Sequence, residues 1–165
     1  MKRWQDIVLP IPDWLNTWAA EIPPALPEVD QRMVAVIDLA RINVQRGGGP
    51  FAAAVFDQTS GELIAPGVNW VVPGKSSLLH AEVMALALAE QTLGSYELAS
   101  YGAFELVTSA EPCCQCQGAA KRLYKSSVLL SAIHPTINPR YPSIFNSGQK
   151  LFLAALTGID RSLLV

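Results

Sequence analysis

A chain of 165 residues is long enough to bury one sizeable core. Hydrophobic residues make up 50% of it and charged residues 16%, an apolar balance that predicts a subunit interface and a homodimer. The formal net charge of -2 and the lack of any basic run argue against a dedicated nucleic-acid surface, and three cysteines do not make a disulfide framework, so a reducing cytoplasm is expected.

The first segment, residues 1–29, reads as an arm. Asp6, Pro10, Pro12 and Asp13 interrupt any signal-peptide core, and no apolar run is long enough to span a membrane. Trp4, Trp14 and Trp18 can anchor this arm on the body or on a neighbouring subunit. Pro23, Pro24 and Pro27 stop any continuous helix.

Met33, Ile37, Ala40 and Val44 recur at helical spacing and predict a helix over 28–45, ended by the glycines at 47–49. That glycine run lacks a lysine and follows no strand, so it is not a phosphate loop. Strands are expected over 51–56 and 62–72, with a turn at 57–61 between them. A second helix is expected from His80 to Leu93, closed by Gly94, with Val83, Met84, Leu86, Ala87 and Leu88 facing inward. A polar loop leads to a strand over 104–109, a helix from Cys113 to about Lys125 and a strand over 127–132. The order β-β-α-β-α-β predicts an α/β fold with helices covering a central mixed sheet. Beyond His134 the prolines impose loops, with a helix expected at 149–156 and a strand fragment at 161–165.

Two segments carry chemistry. His80-Ala81-Glu82 opens the second helix, and Pro112-Cys113-Cys114-Gln115-Cys116 opens the third. Zinc prefers four tetrahedral nitrogen and sulfur ligands, and a catalytic site leaves one position for water. His80, Cys113 and Cys116 supply three ligands, the two cysteines falling on one face of a helical turn. A helix N-terminus also favours thiolate over thiol. Glu82 is not needed as a ligand and is free to move protons. A structural site would call for a fourth protein ligand, and His134 reads as a surface loop residue. A redox reading of Cys113 and Cys116 lacks thioredoxin-type surroundings, and Cys114 is expected to pack in the core.

The pattern H-x-E followed by P-C-x-x-C is the zinc deaminase signature. The chain resembles the cytidine and deoxycytidylate deaminase superfamily, and within it the guanine deaminase branch. Gly49-Pro50-Phe51, Asn69, the His80 and Cys113 segments, and Gly118-Ala119 carry that resemblance over residues 30 to 132. Ala52 stands where the family often has glycine, Cys114-Gln115 stands where small residues and methionine are commoner, and the segment from His134 departs from the usual continuation, ending before the expected last strand and helix.

The resemblance implies a three-layer α/β/α cytidine deaminase-like sandwich, with the deaminase domain over 30–165. It implies Zn2+ as cofactor, Glu82 as proton shuttle, and a nucleobase as substrate. Asn69, Ala81, Phe51 and Glu111 are the implied base-holding residues; Phe51 and Asn69 also admit bland readings as a core residue and a turn residue. The expected reaction is hydrolytic deamination of a free purine base, guanine before others. The rivals are deamination of a nucleoside, of cytosine or of tRNA adenosine, and a zinc-binding scaffold without catalysis.

Overall fold

The structure, a computed structural model, describes residues 8–120 and the backbone of 129–132. The readings of Trp4, His134, the helix beyond Ala120 and the segments after 132 lie outside the described residues.

The element order is α1 (Asp13–Glu21), α2 (Val29–Gln45), β1 (Ala52–Asp57), β2 (Leu63–Val68), a one-turn α3 (Val71–Gly74), α4 (Ala81–Leu93), β3 (Phe104–Thr108), α5 (Cys114–Ala120) and β4 (Leu129–Ala132). The four strands form one sheet in the order β2-β1-β3-β4. The β1–β2 and β1–β3 pairs are antiparallel and β3–β4 is parallel, so the sheet is mixed. β1 reads Ala-Ala-Ala-Val-Phe and is buried on both faces, as a strand sandwiched between helices must be.

Its alternate residues feed two cores. Ala52, Ala54 and Phe56 pack with Leu15, Trp18, Val36 and Leu39 of α1 and α2. Ala53 and Val55 pack with Ala81, Ala85, Leu86 and Ala89 of α4. That is a three-layer α/β/α arrangement. β2 lies at an edge of the described sheet, where Pro66 is tolerated because its missing N–H removes no inner ladder bond. The arm covers part of that edge: Ala25 bridges Glu62, and the Leu26 N–H donates to Gly61 O at 2.8 Å.

Several sequence readings change: in α4 the buried residues are Ala81, Glu82, Met84, Ala85, Leu86 and Ala89, while Val83, Ala87 and Leu88, expected inward, are half-buried. The strand expected over 62–72 ends at Val68, and residues 71–74 form the short α3. The arm contains a helix, α1, whose Leu15 and Trp18 are part of the main core. The buried stripe of α2 is Arg32, Val36, Leu39, Ala40 and Asn43, not the apolar series through Met33, Ile37 and Val44. The helix turns this way because its two inward polar residues find partners. Arg32 is 4% exposed and pairs with the fully buried Glu105 of β3, while a second guanidinium nitrogen donates to Pro27 O at 2.8 Å. A reciprocal cap starts α2: the Glu28 side chain accepts from the N–H of the third helical residue, and the Gln31 side chain accepts from the Glu28 N–H. Among the described residues no helix is long and apolar enough to cross a membrane.

Candidate metal centre and base-binding corner

The antiparallel register brings the start of β1, the end of β2 and the end of β3 to one end of the sheet: Ala52 pairs with Val68, and Ala53 with Thr108. The first turn of α4 and the start of α5 meet there. Gly67 makes the approach of α4 possible. A Cβ at this position would lie 2.2 Å from Ala81 O and 2.4 Å from Ala85 N, so only glycine lets β2 sit this close to the helix backbone. His80 is the N-cap of α4 and Glu82 lies in its first turn.

On the other side of the site, the Ala52 N–H donates to Ser109 Oγ at 3.0 Å and the Ser109 N–H donates to Ala52 O at 2.9 Å. The Thr108 hydroxyl donates to Ala110 O at 2.6 Å. These bonds fix the turn between β3 and Cys113. The Gln117 N–H then donates to Cys113 O at 2.8 Å, and the Gln117 side chain donates to Pro112 O at 3.0 Å, starting α5. Gln115 reaches back to Ser77 O at 3.3 Å, tying α5 to the segment before His80.

His80 Nδ1 lies 3.5 Å from Cys113 Sγ and 3.4 Å from Cys116 Sγ, and the two sulfurs are 3.5 Å apart. Zinc–sulfur and zinc–nitrogen bonds near 2.3 and 2.0 Å give tetrahedral edges of roughly 3.5–3.8 Å. The triangle therefore fits one face of a zinc tetrahedron and leaves the fourth vertex to a non-protein ligand. These three are also the group of side chains among the described residues able to hold a metal ion. Burial pushes the Cys116 thiol up, and the nearby Glu82 carboxylate adds to the effect. A bound dication reverses that bias, because a coordinating thiol is deprotonated.

Glu82 is 8% exposed. Burial raises its pKa above the usual glutamate value, against the opposing influence of its own backbone N–H, the Cys116 thiol and His80. A carboxyl so placed exchanges protons more readily near neutral pH than an exposed one. Cys114 is exposed, contrary to the core position expected of it. It belongs to the first turn of a helix whose inward positions are Cys116 and Ala120, which turns Cys114 outward.

The four base-holding expectations fall around the same end of the sheet. Asn69 follows β2 and is half-buried; its N–H donates to Phe51 O at 2.9 Å. Phe51 is 39% exposed at the mouth of β1. Ala81 is buried in the first turn of α4. Glu111 is half-buried in the turn before Cys113; burial raises its pKa, and its Oε1 has no partner among the described residues. Sequence reading missed Asn43 and Gly67. A polar residue on the apolar face of α2 and a glycine inside a strand were the available signals.

A sequence profile described as the cytidine and deoxycytidylate deaminase zinc-binding region matches residues 27–131. The chain belongs to this family. Its domain is a zinc-binding deaminase domain, and the His80–Cys113–Cys116 triangle matches that description. Guanine deaminase of Bacillus subtilis is 37% identical over 99 residues, which are 59% of this chain and 60% of that protein. The chain thus matches less than two thirds of that relative's length. A solved structure of guanine deaminase from Nitrosomonas europaea is 37% identical, with a TM-score of 0.73 over 92% of this chain and 85% of that one. The structure of NE0047 in complex with 2,6-diaminopurine is 38% identical, with a TM-score of 0.74 over 91% of this chain and 82% of that one.

Proposed function

We propose that the protein is a zinc-dependent aminohydrolase that converts guanine and water to xanthine and ammonia. The observation that carries the reading is the buried Glu82 carboxyl beside a three-ligand metal triangle with an open vertex. A purely structural site has no use for such a carboxyl. The likeness to guanine deaminases and to a protein holding 2,6-diaminopurine supports a purine that carries an amino group.

His80, Cys113 and Cys116 would hold the zinc. Zinc so held would supply Lewis acidity toward water, lowering its pKa from about 15.7 toward about 7. Glu82 would take a proton from the attacking water as its oxygen adds to the amino-bearing carbon, and would deliver that proton to the adjacent ring nitrogen. A second transfer through Glu82 would carry the proton of the newly attached hydroxyl to the amino group; the carbon–nitrogen bond breaks, ammonia leaves and the hydroxyl becomes the carbonyl. A positioned proton carrier of this kind contributes typically ~10²–10⁴-fold. The Asn69 amide pairs with polar atoms of the base, Phe51 stacks on it, and backbone at Ala81 and Glu111 lines its seat. The low charged fraction and the tryptophan-bearing arm support a homodimer, and the cysteine usage supports a cytoplasmic setting.

Ammonia release from guanine, adenine, cytosine, cytidine and guanosine tests the reading. Guanine should give the highest kcat/KM, and Glu82→Gln should lower kcat ~10²-fold or more while zinc content and Tm hold. Equal turnover by parent and Glu82→Gln removes Glu82 from the mechanism. Zinc-loaded parent that deaminates none of the five is a scaffold.

A further inference from the structure

Asn69 is held by a device on the opposite side from the metal. Asn43 of α2 is fully buried. Its side-chain Nδ2 donates to Gly49 O at 2.8 Å and to Asn69 O at 2.9 Å. The Gly48 N–H donates to Asn43 O at 2.8 Å, and the Gly49 N–H donates to Asn69 O at 2.9 Å. One amide therefore ties together a helix, a glycine loop and the residue after β2. Its own Oδ1 is buried with no partner among the described residues, a burden of about 1–3 kcal/mol that an apolar residue here would not carry. A half-satisfied buried amide calls for an explanation, and both bonds it donates go to the junction that carries Asn69.

The glycines show what is being positioned. A Cβ on Gly48 would lie 2.2 Å from Asn43 Oδ1, and a Cβ on Gly49 would lie 2.6 Å from Asn69 Oδ1 and 2.8 Å from Asn69 Cγ. Gly49 has no left-handed backbone that would demand glycine. The three atoms nearest to where its side chain would start all belong to Asn69.

We propose that Asn43 and Gly49 are positioning residues that set the direction of the Asn69 side-chain amide toward the base, and so determine base affinity. The inference rests on the reading above in which Asn69 pairs with the purine. Gly48 serves the same clamp indirectly, by leaving space for the Asn43 amide. None of the three touches the base.

Gly49→Ala separates positioning from folding. The three atoms nearest the new methyl, Oδ1 at 2.6 Å, Cγ at 2.8 Å and Cβ at 3.2 Å, all belong to the half-buried Asn69 side chain, whose carboxamide can swing away at little expense to the fold. Tm and zinc content should therefore stay at parent values while KM for guanine rises about tenfold, the worth of one misdirected hydrogen bond. The decisive measurement is a double-mutant cycle with Asn69→Ala in kcat/KM. Once the Asn69 amide is gone, Gly49→Ala should change kcat/KM by less than about twofold. Asn43→Ala, which also lowers Tm, should show the same loss of effect on KM in the Asn69→Ala background.

Full additivity in either cycle overturns the proposal, as does a Gly49→Ala protein with parent KM. If the parent does not deaminate guanine, the functional reading fails by itself. The clamp is then read from the dissociation constant of 8-azaguanine on the same zinc-loaded proteins, where additive penalties, or no binding at all, overturn it.

Discussion

The metal corner and the proposed base corner share one end of the sheet but are specified in different ways. The metal corner depends on side chains that few other residue types can replace: an imidazole and two thiols within about 3.5 Å of one another, with a buried carboxyl beside them. The base corner depends on backbone carbonyls at Gly49 and Asn69, one buried amide and the absence of a methyl group. Ligand chemistry restricts the first to a short list of residues. The second is a matter of fit, which many sequences can satisfy. The same contrast separates two glycines: Gly67 gives way to helix backbone, whereas Gly49 gives way to the tip of one side chain.

That contrast can be tested by breaking each corner. Cys116→Ser should have the largest effect, with most of the zinc lost by elemental analysis and deamination lost with it. Cys114→Ser, exposed one turn-position away, should keep its zinc, and a reversal of the two would undo the ligand assignment. Next comes the anchor of α2, the helix that carries Asn43. Arg32→Met breaks the buried Arg32–Glu105 pair and should lower unfolding free energy by about 3–5 kcal/mol in urea titration. Adding Glu105→Leu should recover much of that loss; if it does not, the two residues are not energetically paired.

Gly67→Ala pushes β2 away from α4 and should destabilise by about 1–3 kcal/mol, with zinc affinity falling as well. The comparison with Gly49→Ala is sharpened if only Gly67→Ala lowers Tm, and broken if both do. The smallest effect belongs to the far end of β1. Asp57 accepts hydrogen bonds from the N–H groups of Ser60 and Thr59 and from the Ser60 hydroxyl. The Ser60 backbone N–H is the main influence holding its carboxyl below the usual aspartate value. A lowered folded pKa contributes stability that is present above the unfolded value and lost as pH falls through the folded one. Asp57→Asn should therefore lower Tm slightly at pH 7, with the difference from parent closing below about pH 4. Zinc content and KM should not move. A gap that persists at pH 2 would mean the turn acts through shape alone.

What could be read without coordinates follows the same division. The helix over 28–45, the helix from Ala81 to the left-handed Gly94 and the triangle of His80, Cys113 and Cys116 were legible, because periodicity, a glycine stop and ligand spacing each have a local cause. The facing of α2 was not. An apolar-only stripe places Met33 and Ile37 inward, whereas Arg32 and Asn43 are the residues that find partners there, on β3 and on the 49–69 junction. Those partners are distant in sequence, so no local pattern announces them. Strand β2 stopped early for a similar reason. The Trp70 N–H turns to Leu79 O at 2.9 Å instead of continuing the ladder, which shapes the approach to His80. The outward position of Cys114 depends on which way the first turn of α5 faces, and neighbouring cysteines give no sign of that.

Trp70 also follows Asn69 directly in the chain. Its ring meets Trp14 of α1 edge to face, with centroids 6.5 Å apart, and the Arg46 guanidinium lies 5.9 Å from the Trp14 centroid. Indole emission responds to neighbouring rings and charges, so this group forms a native fluorophore attached to the residue proposed to meet the base. A shift of the Asn69–Trp70 segment alters the field around both rings. If a base in the site moves that segment, its occupancy is expected to register in the wavelength and intensity of the intrinsic emission, and Trp14→Phe separates that signal from the remaining tryptophans.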